Sequence, residues 1–440
     1  MKNFIPLLML FAGSFLLAQQ TAFKFDFGGN RFEKGFIPIT PVSKFDKNIG
    51  YGFMDISGLK SVDNGKNALT GDFITSDKPF YFSVAIPQGN YDIKITLGDT
   101  KGVSETTVRV ENRRLMLNHI KTKQGEIVEK TITVHVKDSI IRNQKGENIG
   151  IVKLKPRERK YLHWDNLLTI EFNDKAPKVC SIIIQPNKTA KTIYLTGDST
   201  VVDAQYEPWA SWGQMLPYFF VPNEVVIANY AESGETLKAF EDRRRIDKIW
   251  TQIKPGDYLL IQFGHNDQKY GNSEKSGYRK LLKEWIHKAK QLGVIPILVT
   301  SMNRRVFDEN NTIINTLDDF PDAMREIAKE EKVDVIDLNA LSKTLFEAMG
   351  PEMAKKAFVH YPANSYPNQP TALADDTHFN AYGAYELAKC VVKSIVDQNL
   401  PLKKYISNNE KNFNPNKPDD VEKFHWPESV FMESLKPDGN

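Results

Sequence analysis

The pattern of apolar and polar positions changes once along the chain, close to residue 188. Before that point, short segments rich in β-branched and aromatic residues are separated by Gly, Asp, Asn and Pro, and no amphipathic helix of useful length intervenes. This pattern predicts an all-β sandwich over residues 21–188. Its predicted strands include Tyr81–Val84, Tyr91–Thr96, Thr106–Val110, Thr131–Val136, Leu168–Phe172 and Ser181–Gln185.

After a linker at Pro186-Asn187-Lys188, apolar strands alternate with helical stretches such as Tyr278–Leu292 and Phe320–Glu331. The apolar positions of those stretches recur with a period of about 3.6 residues. Such alternation predicts an α/β domain over residues 191–400, with a parallel sheet between two layers of helices. The five predicted strands are Ile193–Thr196, Val225–Ala228, Tyr258–Phe263, Ile295–Thr300 and Val333–Leu338.

The two ends of the chain differ from both predicted domains. Lys2 followed by the apolar run Phe4–Ala18 predicts a signal peptide over residues 1–18 and a secreted or periplasmic protein, with a membrane anchor as the alternative. No other stretch approaches 18 apolar residues, so no membrane association is expected after cleavage. The Asn-, Lys- and Pro-rich extension 401–440 is expected to wrap the surface or fray.

Composition and charge narrow the function classes. The chain has 440 residues, 41% of them apolar, and a net charge of +3, which is typical of a folded protein and argues against nucleic acid as a partner. The basic residues of segment 153–160 are expected to form a solvated edge, and Arg243–Arg245 an exposed helix face. Cys180 and Cys390 lie in apolar runs, which favours buried free thiols over a bridge. Two cysteines cannot form a structural zinc site.

Candidate chemistry lies where predicted strands end. A glycine allows a sharp turn that presents the following serine, a side-chain amide can donate to an oxyanion, and an acid three residues before a histidine can fix its tautomer. Each feature alone has a structural alternative, since Ser, Thr, Asn and Asp are frequent in helix caps and turns. The four blocks are GDST (197–200), AESGET (231–236), GHND (264–267) and DDTHFN (375–380).

These four blocks together resemble the SGNH (GDSL-type) hydrolases over residues 191 to about 398. The stretch FVHYPANSYPNQP (358–370) is similar to the rhamnogalacturonan acetylesterase-like branch, and the leading β-domain resembles a galactose-binding-like sandwich. The resemblance implies a flavodoxin-like hydrolase domain with a five-stranded parallel sheet. It also implies a secreted serine esterase that removes acetyl groups from plant cell-wall polysaccharide, such as rhamnogalacturonan or pectin.

Roles for individual residues follow from the same resemblance. Ser199 would be the nucleophile, His378 the general base and Asp375 the group that orients His378. The oxyanion donors would be the backbone N–H groups of Ser199 and Gly234 and the side chain of Asn266. The implied mechanism needs neither a cofactor nor a metal.

Two neighbouring residues compete for these roles. Asp376 follows Asp375 but is only two residues from His378, whereas the family spacing is Asp-x-x-His, so Asp375 is the preferred orienting acid. His265 is expected to shape the block around Asn266 rather than to take part in chemistry.

Four further residues are candidates for substrate binding. Trp209 and Trp212 follow the nucleophile and would either stack on a sugar or pack in the core. Arg304 and Arg305 follow the fourth predicted strand and would either meet uronate carboxylates or remain solvated, and solvated arginines are the more common case.

Two other functions stay open at this level. An SGNH esterase or lipase acting on acetylated xylan, lipid or small esters would share every catalytic residue, and a carbohydrate-binding protein with an inactive hydrolase domain would lack one of them. The sequence does not indicate an oligomeric state. For the sandwich, we favour a structural cap or a mixed role, and we expect hydrolysis of a small acetyl ester to survive removal of residues 1–188 if the remainder stays soluble.

Overall fold

The computed structural model describes residues 20–29, 31–407 and 412–438, so the predicted signal peptide 1–18 lies outside the described residues. Residues 23–186 form a β-sandwich of two facing sheets. Its strands are β1 (Phe23–Phe27), β2 (Ile37–Ile39), β3 (Tyr51–Phe53), β4 (Lys60–Asp63), β5 (Asp72–Thr75), β6 (Phe80–Ala85), β7 (Gly89–Gly98), β8 (Ser104–Val110), β9 (Arg114–Thr122), β10 (Ile127–Val136), β11 (Ile140–Arg142), β12 (Asn148–Ile151), β13 (Leu167–Ala176) and β14 (Lys178–Pro186). Strands such as β6, β8 and β13 are buried at most of their positions.

One sheet of the sandwich has the order β10-β7-β14-β1-β2, and β5 joins it to β4 beside β14. The other has the order β3-β6-β13-β8-β9, and β11 and β12 pair with each other as a separate two-stranded sheet. Aromatic and branched side chains from both sheets fill the space between them, including Phe25, Phe82 and Ile182. Cys180 is buried in β14 and Cys390 in the hydrolase domain, and both thiols are free, as the apolar surroundings of each cysteine predicted.

The second domain begins at Lys191 and alternates strands with helices, as the sequence predicted. Its elements are β15 (Lys191–Thr196), α1 (Trp212–Met215), β16 (Val225–Asn229), α2 (Leu237–Asp242), α3 (Arg245–Gln252), β17 (Tyr258–Ile261), α4 (Tyr278–Gln291), β18 (Ile295–Val299), α5 (Phe320–Glu331), β19 (Asp334–Ile336), α6 (Leu338–Ala354), β20 (Phe358–Tyr361), β21 (Leu373–Phe379) and α7 (Ala381–Asp397). Short 3-10 turns occupy 156–160, 162–164, 216–219, 267–270, 355–357, 401–405 and 421–423.

The parallel sheet has the order β16-β15-β17-β18-β19. The chain leaves β15 for β16 on one side and then crosses to β17 on the other, which is the flavodoxin-like order. Helices α1, α6 and α7 cover one face, and α2 to α5 cover the other. The loops after β15, β16 and β17 therefore meet at the point where strand order reverses, which is where such sheets bind ligands.

The two domains share a buried and highly charged interface. Leu115 of the sandwich packs in one core of the hydrolase domain, and Trp164 packs in the other. The ion pairs that cross between the domains include Arg114–Asp203 at 2.7 Å, Arg113–Glu207 at 3.0 Å, Arg245–Glu158 at 2.5 Å and Lys248–Asp138 at 3.0 Å. Each of these eight side chains is at least nine-tenths buried.

This interface favours the structural cap among the roles considered for the sandwich. Without residues 1–188, Asp203, Glu207 and Arg245 would lose these partners, and the apolar surface of the hydrolase domain that Leu115 and Trp164 cover would be exposed to water. That small-ester hydrolysis survives this truncation, if the remainder stays soluble, stays a prediction. The structure corrects the expectation for Arg243–Arg245, because Arg245 is fully buried.

The C-terminal extension wraps the molecule. Residues 426–438, here called the tail segment, return from the hydrolase domain across the junction with the sandwich and onto the loops at the sheet's carboxyl edge. Trp426 lies 3.9 Å from the Arg109 guanidinium and donates to Glu207. Backbone hydrogen bonds with Glu207 then fix Phe431 and Glu433. Among the described residues, no helix has the length and apolar character needed to cross a membrane.

Candidate active site

Ser199 lies in the tight turn that follows β15. Gly197 begins this turn, and a side chain there would overlap Val201. The carboxylate of Asp198 accepts hydrogen bonds from the backbone N–H and the hydroxyl of Thr200, which closes the turn. These contacts hold the Ser199 hydroxyl at the edge of the sheet, where the side chain is largely buried but still reachable.

The imidazole of His378 bridges Ser199 and Asp375. Its Nε2 lies 2.9 Å from Ser199 Oγ, and its Nδ1 lies 2.9 Å from Asp375 Oδ2. The other oxygen of Asp375 accepts the backbone N–H groups of Thr377 and His378. Asp375 therefore fixes both the backbone and the ring of His378, and leaves Nε2 facing the serine.

The hydrogen bonds at Asp375 also determine its charge. Burial alone would raise the pKa of the Asp375 carboxyl, but the hydrogen bonds from His378 and Thr377 outweigh burial and hold that pKa well below its usual range. Asp375 is therefore ionised at neutral pH. An ionised acceptor keeps the proton on Nδ1 of His378 and stabilises the imidazolium that forms when Nε2 accepts a second proton.

Asp376 is directed away from this group of side chains. Its Oδ1 lies 2.6 Å from Arg305 Nε and 2.7 Å from His360 Nε2, and 42% of the side chain is exposed. The structure thus separates the two aspartates: Asp375 contacts His378, whereas Asp376 ties Arg305 and His360 together.

The candidate oxyanion donors come from three neighbouring loops. Gly234 has φ +75°, a conformation that favours glycine. Asn266, after β17, donates one amide hydrogen to the carbonyl of Glu235 at 3.1 Å, which links its loop to that of Gly234. An amide nitrogen carries two hydrogens, so one remains to donate.

His265 links the loops beneath the site. Its Nε2 donates to the carbonyl of Met302 at 3.0 Å, and its Nδ1 lies 3.4 Å from Asp198 Oδ2. Burial disfavours the charge on Asp198, yet His265 and Thr200 together lower the pKa of that carboxyl. The position of His265 agrees with the role expected for it, which is to shape the site.

The four candidate substrate residues have other contacts in this structure. Trp212 is fully buried and its indole donates to Gln262, so it cannot stack on a sugar, and the structure assigns it to the core. Trp209 lies edge-on to His378, with ring centroids 5.7 Å apart, and donates to the carbonyl of Glu433 in the tail segment.

Arg304 and Arg305 are neither solvated nor directed at an open site. The Arg304 guanidinium donates to Thr316 and to Thr377, and Arg305 pairs with Asp376. Both arginines therefore brace strand β21 beside His378. The sequence located them on the correct side of the sheet but did not show the acceptors that the fold supplies.

The sequence did not indicate that the basic segment and the tail segment reach the candidate active site. Lys155 and Arg157, expected on a solvated edge, instead pair with Glu235 at 2.9 Å and with Glu232 at 2.8 Å in the loop of Gly234. The tail segment brings Lys436 Nζ to 3.3 Å from Asp375 Oδ2. No local pattern marks these residues, because their partners are more than 60 positions away along the chain.

One set of side chains in the described part of the chain has the composition of a metal site. His119, Asp174 and His425 offer ligand atoms that all lie within 4.8 Å of one another. The two imidazole rings are stacked 3.6 Å apart at an angle of 11°, and His425 Nε2 lies 2.8 Å from Asp174 Oδ2. Imidazole binds metals in the plane of its ring, so two nearly parallel rings do not converge on one ion. We interpret the set as a contact that anchors the segment preceding Trp426.

Comparison with known proteins agrees with this division of the chain. The profile of the GDSL-like Lipase/Acylhydrolase family matches residues 195–385. A second profile, described as Beta-agarase/YXIM esterase-like, galactose-binding domain-like, matches residues 23–138.

Three similar proteins come from Bacillus subtilis. Rhamnogalacturonan acetylesterase RhgT is 43% identical over 221 residues, which are 50% of this chain and 95% of RhgT. The probable rhamnogalacturonan acetylesterase YesY is 34% identical over 219 residues, 48% of this chain and 96% of YesY. The uncharacterized esterase YxiM is 28% identical over 417 residues, 90% of this chain and 97% of YxiM, and its crystal structure superposes with a TM-score of 0.46, covering 86% of this chain and 99% of that chain.

The chain belongs to the GDSL-like lipase/acylhydrolase family, with a galactose-binding-like domain ahead of the hydrolase domain. This confirms the resemblance drawn from the four sequence blocks. The protein is accordingly a carboxylic ester hydrolase of the serine type.

Proposed function

We propose that the protein is an acetylesterase that removes acetyl groups from plant cell-wall polysaccharide, with rhamnogalacturonan as the first candidate substrate. RhgT supports this choice because its similarity to this chain extends over nearly its full length. The observation that carries the catalytic part of the proposal is the continuous hydrogen-bonded series from Ser199 through His378 to Asp375.

In the first half of the proposed reaction, Ser199 Oγ attacks the acetyl carbonyl carbon while His378 Nε2 accepts the serine proton. The carbonyl oxygen becomes an oxyanion and accepts hydrogen bonds from the N–H groups of Ser199 and Gly234 and from Asn266 Nδ2. The tetrahedral intermediate then expels the sugar oxygen, which takes the proton from His378. The acetyl group remains bound to Ser199 Oγ as an ester.

In the second half, water attacks the acetyl-serine carbonyl and His378 accepts a proton from that water. Collapse of the second tetrahedral intermediate breaks the bond to Ser199 Oγ, which takes the proton back. Acetic acid leaves and the serine is regenerated. Every step uses only water and groups of this chain, and Asp375 keeps the His378 ring oriented throughout.

We also propose that the protein acts outside the cytoplasm, since a polysaccharide of the plant cell wall is found there. The apolar run Phe4–Ala18 behind Lys2 supports this proposal. Expression of the full chain, with N-terminal sequencing of the protein recovered from the periplasm or medium, tests it. A protein that keeps its first residues and stays with the cells would contradict it.

The substrate is tested by acetate release from a panel of acetylated rhamnogalacturonan, homogalacturonan and xylan, beside 4-nitrophenyl acetate as a small ester. We expect rhamnogalacturonan to give the highest kcat/KM among the polymers. A preference for xylan, or activity on the small ester alone, would reassign the substrate but keep the esterase.

Asn266 is expected to act only in the transition state. Asn266→Ala should lower kcat by about 10²–10³-fold with little change in KM, because the oxyanion that its amide stabilises is absent from the bound substrate. Steady-state kinetics on 4-nitrophenyl acetate measure both constants. A rise in KM at unchanged kcat would show that Asn266 holds substrate instead.

The two adjacent aspartates provide a matched pair of variants. Asp375→Asn should lower kcat by about 10³–10⁴-fold, because an amide neither fixes the tautomer of His378 nor stabilises its imidazolium. Asp376→Asn, one residue away and bound to Arg305 and His360, should retain most activity. The reverse ranking in the same kinetic assay would move the orienting role to Asp376.

A further inference from the structure

The loop of Gly234 lies among ion pairs in which cationic side chains outnumber the acidic ones. Four cationic side chains pair with three buried acids in the contacts Arg157–Glu232, Lys155–Glu235, Arg243–Glu235 and Arg245–Glu158. Burial and the neighbouring Glu158 raise the pKa of Glu232 to about 7, against the opposing effect of Arg245 and Arg157. At neutral pH, this group of seven side chains therefore has a net charge of at least +1.

The carboxylate of Asp438 in the tail segment pairs with this excess positive charge. Its Oδ1 lies 3.0 Å from Arg157 Nη1, and its Oδ2 lies 3.9 Å from Lys155 Nζ. Arg157 Nη2 donates to Glu232, so one terminal nitrogen of the guanidinium holds the loop of Gly234 and the other is left for Asp438. Asp438 itself remains 59% exposed, which means that solvent, or a ligand, can reach this ion pair.

This ion pair borders the site of the proposed chemistry. A Cβ atom placed on Gly234 would lie 2.8 Å from Asp438 Cβ, so the tail segment touches the loop that supplies the candidate oxyanion donor. Residues 433 and 435–438 form one wall of a cavity of about 250 Å³. Arg157, Tyr161, Tyr206 and Trp209 form other parts of its wall, and Trp209 packs against His378.

We propose that Arg157 and Lys155 form a carboxylate subsite that binds a uronate of the polysaccharide, and that Asp438 occupies this subsite in the absence of substrate. The inference rests on the proposed function, since it names the site that would bind the acidic sugar of the proposed polysaccharide. The free terminal nitrogen of Arg157 can donate a charge-assisted hydrogen bond to a carboxylate, and the Lys155 ammonium adds a second positive charge. A subsite on the sandwich side of the cavity also gives residues 21–188 a part in substrate selection.

Occupation of the subsite by Asp438 makes binding a competition between two carboxylates. An acidic oligosaccharide must displace Asp438, whereas a neutral one gains nothing from the cations. Because the tail segment also brings Lys436 to Asp375, displacement of Asp438 would open the cavity towards His378.

The test is competitive inhibition of 4-nitrophenyl acetate hydrolysis by deacetylated rhamnogalacturonan oligosaccharides. The same oligosaccharides with their carboxyl groups reduced to alcohols serve as the neutral probe. In the wild-type chain, we expect the acidic probe to inhibit at least about tenfold more tightly than the neutral one, as one charge-assisted hydrogen bond predicts. Equal inhibition by both probes, or none by the acidic probe at millimolar concentration, would overturn the subsite.

Variants locate the effect. Arg157→Gln should raise the inhibition constant of the acidic probe about tenfold or more and remove its advantage over the neutral probe, whereas Arg157→Lys should keep part of that advantage. Arg159→Gln, an exposed arginine on the same 3-10 turn, is the matched control and should change neither constant. If Arg157→Gln weakens inhibition by both probes equally, Arg157 has only a structural role.

Asp438→Asn tests the competition directly. It should tighten inhibition by the acidic probe several-fold and leave the neutral probe unchanged, because the tail segment no longer offers a carboxylate. Weaker binding of both probes would show that Asp438 builds the cavity wall instead of competing for the subsite. Since the assay follows a small ester, its outcome is independent of acetate release from polymers, so a failure of the proposed substrate and a failure of the subsite are told apart.

Discussion

Replacing Ser199 with alanine should lower kcat for 4-nitrophenyl acetate and for acetylated polysaccharide by at least about 10³-fold, without unfolding the protein. The serine oxygen is the only hydroxyl that His378 Nε2 contacts in the described structure, at 2.9 Å. Alanine removes that nucleophile and one hydrogen bond but leaves the turn intact, since Asp198 and Thr200 close it without the serine side chain.

The control for this variant is Ser365→Ala, an exposed serine in the loop between β20 and β21, which should retain full activity. Circular dichroism and the melting temperature should agree among the wild-type chain and both variants. Near-normal hydrolysis by a folded Ser199→Ala variant would refute the nucleophile assignment, and with it the acyl-enzyme mechanism.

Local sequence patterns predicted most of the hydrolase scaffold. Apolar runs marked all five strands of the parallel sheet, and the helical period marked α4 and α5 within one residue at each end. The spacing Asp-x-x-His was equally local, because Asp375 reaches His378 within the same strand. These features depend on neighbours in the chain, so the sequence contains the information needed to place them.

The interface and the tail segment depend on contacts between distant parts of the chain. Arginine is usually exposed, so the sequence alone predicts surface positions for Arg114, Arg157 and Arg245. Their carboxylate partners lie 89, 75 and 87 positions away. Such a charge becomes buried only when the two domains dock. The local sequence around each arginine contains no information about that contact.

The ion pair between Arg114 and Asp203 should therefore contribute strongly to the free energy of unfolding, which the local sequence does not indicate. Arg114→Met should lower the free energy of unfolding by about 3–5 kcal/mol, because it leaves the fully buried carboxylate of Asp203 without its cation. Activity should fall as well, since Asp203 lies four residues after Ser199 and also holds Asn229 at 2.8 Å. Urea unfolding and kcat on 4-nitrophenyl acetate measure the two effects.

Arg31→Met is the matched control, because Arg31 pairs with Asp63 within the sandwich while both side chains stay substantially exposed. An exposed pair contributes at most about 1 kcal/mol, so this variant should unfold close to the wild-type urea midpoint. Adding Asp203→Asn to Arg114→Met should recover part of the lost stability, because neither residue of the pair is then charged. The asparagine oxygen can still accept the hydrogen bond from Asn229. If Arg114→Met costs no more than Arg31→Met, the interface does not depend on this ion pair. Recovery in the double variant would instead show that the sandwich supports the Ser199 loop through a charge that the hydrolase domain cannot bury alone.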